Sequence, residues 1–585
     1  MSYKIGCGKA DITVFVYGKG MMGYGMHPNV AKSVETPLSV RAFVLQDTQT
    51  NNKVTMVVAE ICFYTIALKD AVLKKLQSEH PELGYTNANL MLSAQHTHSA
   101  AGGYSHHILY NLTIPGFQPL VFNKIVEGTI TAILQAENNL TDAKINLING
   151  EFAPHLPVAF NRSMLAYNNN PDVKKLTNKE NHLAIDRTMK LLRFDTPEGK
   201  PIGSINWFGV HTTSISNDNT RLCYDNKGYA AAYFEQDIQQ QTNNQQFIAA
   251  FAQDVAGDVS PNYKWDKDKK WMRGKYKNDF KSAQYNGKLQ YQKAKELFDA
   301  APTATPINGN IDTELMFVDF SQVDIDRQFT NGVAGLHTAP AAQGLAFFMG
   351  TKEGPGMPAA LAPFSKAALS AVKLYEKTAF KLFASRKIRE DIDQKHRAHG
   401  VKHLFMESGI GKIWGTHQIK NLVVPGFADL SIKYFKELDK LGFTKRTPWV
   451  PRILPIQIAI VGQLAILGIA AEITTVAGQR LNQTVLSILK HKGVQQVIIN
   501  TYCNGYHGYI TTAEEYDKQQ YEGGHTIFGR WTLAAYQTKF KQLALQMLKP
   551  ATERQIPNLQ PDIFTPEEIW YGFNEVMPQN QTVNS

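Results

Sequence analysis

The sequence predicts an α/β protein: one large domain, with a mixed β-sheet flanked by helices and candidate metal ligands at the carboxyl ends of strands. Three observations predict it. Short runs rich in β-branched residues alternate with stretches of helical spacing. The apolar share of 43% and the charged share of 19% are those of a globular chain. Four histidines crowd into "MLSAQHTHSAAGGYSHH", residues 91–107, directly after a strand-like run.

The elements follow in order. "VTMVVAEICF" (54–63) reads as a buried strand, "ALKDAVLKKLQSEH" (67–80) as a helix, "ANLMLSAQ" (88–95) as a strand and "FNKIVEGTITAILQAENN" (122–139) as a helix. "KPIGSINWFGVH" (200–211) is a further strand, "YAAAYFEQDIQQQ" (229–241) a helix and "FIAAFAQ" (247–253) a strand. Residues 262–450 are less regular, and 341–364 are apolar, glycine-rich and loop-like. The alternation resumes with "QIAIVGQLAILGIAAE" (457–472), two buried strands joined by a turn. A helix (474–492), a strand (494–500) and a last helix (529–550) follow. This gives a catalytic domain over 1–548 and a short Pro- and Asn-rich tail with little core over 549–585.

Composition excludes several classes. No run reaches the roughly 18 uncharged apolar residues of a transmembrane span. The formal charge is +10, clustered at 264–277 and 386–403, and reads as solvated faces with a weaker attraction to anionic membrane surfaces. No nucleic-acid-binding motif accompanies it. The four cysteines stand far apart with no CxxC, so neither a disulfide framework nor a zinc knuckle is expected. The N-terminus has no apolar signal core, which points to the cytoplasm, or to a secreted or periplasmic protein had a leader been trimmed.

The candidate site is a set of strand ends. In an extended segment residues i and i+2 share a face, so His96 and His98 should project together, either as half of a metal site or as a hydrogen-bonded surface pair. His211 ends one strand. Glu472 ends another, before a helix capped by Thr474 or Thr475. Tyr509 lies in the loop after "VQQVIIN". Open α/β sheets place their sites at such ends. A carboxylate after an apolar run needs a partner or a metal, and two histidines with one glutamate plus an open position suit hydrolytic zinc. His/His/Glu ligation also suits other transition metals.

At this point the chain resembles the neutral/alkaline, non-lysosomal ceramidase family. The likeness runs from "IGCGKADIT" and "MMGYG" to about residue 548. It rests on "HTHS", "GGYSHHILYNLT", "FNRS", "NWFGVHTTS", "DNKGYAAAYFE", "AFAQDVAGDVSPN", "AAEITTVAGQRL" and "YITTAEEYDKQQYEGGHTIFG". The resemblance implies an N-acylsphingosine amidohydrolase that cleaves ceramide to sphingoid base and fatty acid with metal-activated water. It implies one catalytic Zn2+ held by His96, His211, Glu472 and Tyr509. It gives His98 the role of proton carrier to the departing amine, and Arg162 and Tyr521 the role of stabilising the oxyanion or holding substrate hydroxyls. The partner it implies is a lipid, with peripheral membrane contact.

The sequence departs from the family in three places. The family's C-terminal Ig-like β-sandwich is not expected in the 37 residues of 549–585. His337 stands where some members carry a cysteine. Ala100 and Ala101 follow "HTHS" where Gly-Pro is usual, which bears on pocket shape. Three rivals stand beside ceramide hydrolysis. One is the same chemistry on an N-acyl amino acid or N-acylethanolamine, and another is a non-catalytic lipid-binding homologue. The last is a serine hydrolase using Ser260 of "GDVSPN", a loop otherwise read as structural. "GLAFFMGTKEGPGMPAALAPF" (344–364) is the candidate for the mouth of a lipid groove.

Overall fold

The strand-like runs of the first half assemble into one eight-stranded sheet in the computed structural model, which describes residues 3–422 and 430–572. Its order is Ile248–Ala252, Pro201–Trp207, Thr188–Asp195, Thr141–Glu151, Tyr3–Asp11, Ser39–Asp47, Lys53–Ala59, Leu90–Ala94. The inner pairings are antiparallel. The pairing at each edge is parallel: Pro201–Trp207 with Ile248–Ala252, and Lys53–Ala59 with Leu90–Ala94. A parallel pair needs a crossover, and the helices Ile66–Glu79 and Asp225–Thr242 supply them. Thr65 starts the first by accepting from the Leu68 N–H at 3.1 Å.

A second sheet has the order Ile311–Asp319, Ile453–Val461, Leu464–Ile469, Gln496–Asn500. Its last pair is again parallel, crossed by the helix Thr475–Leu489. The two sheets pack face to face. Ile5, Met56, Met91 and Ile205 of the first share one buried cluster with Ala459, Leu464, Ile466 and Ile498 of the second. The Trp207 indole crosses the gap to donate to Asn500 Oδ1 at 3.2 Å.

Helices cover the outer faces. Pro119–Asn138 lies so close to Tyr3–Asp11 that a Cβ on Gly6 or Gly8 would fall 1.9 or 2.0 Å from a helix carbonyl oxygen. That approach is the use of the "IGCG" glycines. Thr475–Leu489 and Thr532–Met547 cover the second sheet. Each crossover helix of the large sheet is tied to a strand end by a buried lysine. Lys69 donates to the carbonyls of Asn87 (3.0 Å) and Leu90 (2.7 Å), and Lys227 to those of Phe208 (2.7 Å) and Ala252 (3.0 Å). Burial pushes both ammonium groups down to about 7.

The α/β class and the order of elements agree with the sequence reading, with four differences. Two large sheets, of eight and four strands, stand where one was expected. The middle is more regular than expected: it holds the helix Asp279–Ala300 and the strand Ile311–Asp319, an edge of the second sheet. The strand toward His211 stops at Trp207. The tail is not without core, because Trp570 is buried among Ile108, Leu112 and Trp449; residues 573–585 of the predicted tail lie outside the described residues. All four cysteines are buried and free, and no helix among the described residues is long and apolar enough to cross a membrane.

Candidate active site

Each of the three parallel strand pairs of the two large sheets releases its chain into one place. Leu90–Ala94 leads to His96 and His98, Pro201–Trp207 to His211, and Leu464–Ile469 and Gln496–Asn500 to Glu472 and Tyr509. Two short parallel bridges hold these extensions in register. Thr97 pairs with Thr212, and Glu472 itself pairs with Tyr509. The site therefore lies where carboxyl ends of strands from both sheets meet.

His96, His211 and Glu472 are each about 2% exposed or less, and their ligand atoms lie within 4.8 Å of one another. The rings are fixed from behind. His96 Nδ1 faces the Cys62 carbonyl at 2.8 Å and His211 Nδ1 the Val259 carbonyl at 3.0 Å. A carbonyl can only accept, so both Nδ1 atoms carry the proton and both Nε2 lone pairs point inward. They face Glu472, whose Oε2 is 2.9 Å from His211 Nε2 and whose Oε1 is 3.6 Å from His96 Nε2. Burial pushes the His96 imidazole down to about 4. Burial opposes ionisation of Glu472, but His96, His211 and Tyr506 more than offset it and hold its carboxyl well below the usual range. Two imidazoles fixed through Nδ1 and a carboxylate, converging on one point, form a donor set that fits a divalent cation, with the histidines oriented as second-layer hydrogen bonds orient zinc ligands.

Tyr509 completes this corner. Its hydroxyl is 3.4 Å from His211 Nε2 and accepts from Arg162 Nη2 at 3.0 Å. Arg162 also donates from Nε to Glu522 Oε1 at 2.8 Å and from Nη2 to the Gly257 carbonyl at 3.0 Å. Its Nη1 lies 3.5 Å from Glu353 Oε2. The Tyr521 ring stands beside Arg162 and edge-on to Tyr509, its centroid 5.6 Å from the guanidinium carbon. Burial raises the hydroxyls of both tyrosines above their ordinary range. His98 sits next to the ligand set, Nε2 to Nε2 with His96 at 3.0 Å, and its ring packs on Tyr24. Gly23 makes room for it, because a Cβ there would meet His98 Cγ at 2.4 Å. All seven residues expected from the sequence thus gather in one place.

Two local expectations are corrected. His96 and His98 do not converge by strand alternation: His96 is left-handed at φ 73°, and this turn swings its ring back toward His211. The helix after Glu472 is not capped by a threonine side chain. Thr474 is the N-cap by position, but its hydroxyl donates to Glu515, and Asp258 Oδ1 accepts from the Thr475 N–H at 2.8 Å instead. That carboxylate explains "GDVSPN". Asp258 also accepts from Asn161 and gives its carbonyl to the Arg162 N–H, while the Val259 carbonyl orients His211. Ser260 accepts from the Asn262 N–H at 2.9 Å and builds the loop.

Sequence reasoning missed the supports. Tyr506 and Tyr502 donate to Glu472 at 2.5 and 3.3 Å, and His96 stacks on Tyr502 at 4.0 Å. Tyr506 is the other tyrosine of "GYHGY", the one signal available for it. Glu353, in the apolar loop, has a buried Oε1 with no hydrogen-bond partner among the described residues. A cleft of about 880 Å³ opens from Arg162, Tyr521 and Glu522 between Leu345–Thr351 on one side and Trp265–Trp271 on the other.

Known proteins resemble the chain over most of its length. The profile of the family described as neutral/alkaline non-lysosomal ceramidase, N-terminal, matches residues 3–417 and 436–538. The neutral ceramidase of Pseudomonas aeruginosa is 33% identical over 548 residues, covering 94% of this chain and 72% of its own. That of Mycobacterium tuberculosis is 30% identical over 550 residues, covering 93% and 77%. A solved ceramidase complexed with C2 superposes with a TM-score of 0.77 at 32% identity, covering 96% of this chain and 77% of that one.

Proposed function

The chain belongs to the neutral/alkaline non-lysosomal ceramidase family, and from that premise we propose that it hydrolyses the N-acyl amide of ceramide to a sphingoid base and a free fatty acid. His96, His211, Glu472 and Tyr509 would hold one zinc ion. Zinc in such a site activates water and polarises a carbonyl. The observation that carries the reading is the inward convergence of two oriented imidazoles and a carboxylate, joined through Tyr509 to Arg162, which lines the cleft.

The chain's own residues divide the remaining work. Arg162 is buried and held on three sides, so its cationic edge near Tyr509 is fixed where negative charge on the carbonyl oxygen would develop. The Tyr521 hydroxyl, raised above its ordinary range by burial, can donate to that oxygen or to a substrate hydroxyl. His98, beside the ligand set, is the group to carry a proton to the amine nitrogen, which leaves poorly unless protonated. Glu353 Oε1 offers an acceptor for a hydroxyl of the sphingoid head.

The test is fatty-acid release from a short-chain fluorescent ceramide by purified protein, before and after chelation and after zinc is returned. Release that disappears on chelation and returns with zinc is expected. Release unaffected by chelation overturns the metal reading. Bound zinc with no release from ceramide moves the substrate to another N-acyl amide.

A further inference from the structure

The largest concentration of exposed apolar side chains lies on the helical hairpin 359–399, beside the cleft. Phe383 is 91% exposed, Leu382 78% and Phe364 69%; Leu361, Leu374 and Tyr375 are also more than half exposed or at half. Their placement is ordered. The helix Ala362–Tyr375 buries Ser365 and Leu369 against Leu345 and Phe405, which accounts for its inner face. Phe364, Ala367, Ala371 and Leu374 recur at helical spacing on the other side, so this helix has a second apolar stripe turned to solvent. The first helix runs on through the π-helical turn Glu376–Phe380 to Lys381–Phe383, and the chain then turns at Ala384 and Ser385 into the helix Arg386–His399. The base of the hairpin is pinned: Glu376 accepts from Lys395 at 2.7 Å and faces His396 Nε2 at 2.9 Å. The corner that carries Leu382 and Phe383 stands out from that base.

Charge accompanies the apolar face. Residues 361–389 contain seven Lys or Arg (366, 373, 377, 381, 386, 387, 389) and one acidic residue, the buried Glu376, a balance of 7 − 1 = +6. The exposed acidic residues of the second helix are partly engaged, Asp393 with Lys381 and Glu390 with Arg386. The hairpin also adjoins the cleft, whose rim includes Lys366 and, on the opposite side, Lys269, Lys270 and the half-exposed Trp265. Apolar side chains ringed by lysine and arginine at the mouth of a cleft match a bilayer surface with anionic headgroups.

We propose that the hairpin 359–389 is a membrane-docking face that inserts Leu382 and Phe383 into an anionic lipid surface and seats the cleft on it. The inference deepens the proposed function by naming the surface from which substrate would enter, and it is tested without turnover. Purified full-length protein is floated with vesicles of phosphatidylcholine alone, or with phosphatidylglycerol added, both free of ceramide. The expected result is binding to the anionic vesicles that weakens with salt and falls about tenfold or more in L382S/F383S. A Phe383→Trp variant should show a blue shift of its added emission with anionic vesicles. Equal flotation of wild type and double variant, or no blue shift, overturns the proposal. A wild type that does not float but sediments as a dimer, made monomeric by L382S/F383S, also overturns it and assigns the face to a second copy. Protein that floats as expected yet hydrolyses no N-acyl amide keeps the docking face and loses the proposed function.

Discussion

Two regions are built by opposite rules: the buried candidate metal site, the floor, and the exposed hairpin 359–399 beside the cleft, the rim. On the floor, every candidate ligand side chain is buried and held by a second group: His96 by the Cys62 carbonyl, His211 by the Val259 carbonyl, Glu472 by Tyr506, and Tyr509 by Arg162. On the rim, Phe364, Leu382 and Phe383 have solvent where a core would be. Fixed geometry needs packed partners, because an unsupported ligand loses orientation. A face meant for another phase needs none until it docks. The same chain therefore shows stability and function located together on the floor and separated on the rim.

The strongest way to break the floor is to remove a ligand. His211→Ala should lower amide hydrolysis on the order of a thousandfold and abolish stoichiometric zinc, read by elemental analysis of the purified protein. Full activity in that variant would remove the site from consideration. Removing a support is gentler. Tyr506→Phe keeps the ring but not the hydroxyl on Glu472, and should weaken zinc affinity about ten- to a hundredfold in a chelator competition. Asp258→Ala deletes the cap of the helix Thr475–Leu489 and one tie to Asn161, so a loss of about 1–2 kcal/mol in denaturant unfolding is expected, together with lower turnover. An unchanged midpoint would mean the cap is dispensable.

A fourth experiment asks how tightly the floor's strands are tied to their crossover helices. Lys69 titrates near 7 when folded because it is buried, against an ordinary value near 10.5. Between those pH values the unfolded chain binds the extra proton. Stability from this group is thus poorest below 7 and rises with pH, by up to about 1.4 kcal/mol per unit. Lys69→Met should flatten the rise of stability between pH 7 and 9, measured by urea unfolding at each pH; an identical slope would refute it. The smallest effect is expected on the rim, where Leu374→Ser should change stability by no more than about 0.5 kcal/mol and leave hydrolysis of a soluble short-chain substrate untouched.

The positions of His96, His211, Glu472 and Tyr509 after strand-like runs were legible in the sequence, because buried parallel strands read as plain apolar runs and their ends follow. The second sheet was not. An apolar run looks the same whether a helix or another sheet covers it, so Ala459, Leu464 and Ile466 gave no hint that they face Ile5 and Met56. The strand Ile311–Asp319 was hidden by Asp312 and Glu314, whose charges are met by Lys492 and Arg554 from far along the chain. Asp258 was unreadable for the same reason: its partners Asn161 and Thr475 lie 97 and 217 residues away. The turn at His96 needed a positive φ that no residue type announces. Nothing but family likeness separates Tyr509 from Tyr506 in "GYHGY"; in the structure Tyr506 stands on Glu472 and Tyr509 beside His211.

The pairing of Glu472 with Tyr509 across from Thr97 with Thr212 has a consequence for synthesis. A nascent chain that has reached residue 450 has made His96, Arg162 and His211 but neither Glu472 nor Tyr509. Its imidazoles then face an unfilled side, and the second sheet lacks three of its four strands. Capture of the proposed ion would thereby wait until Tyr509 has been made, and the ion would then clasp two segments synthesised far apart, His96 and His211 with Glu472 and Tyr509.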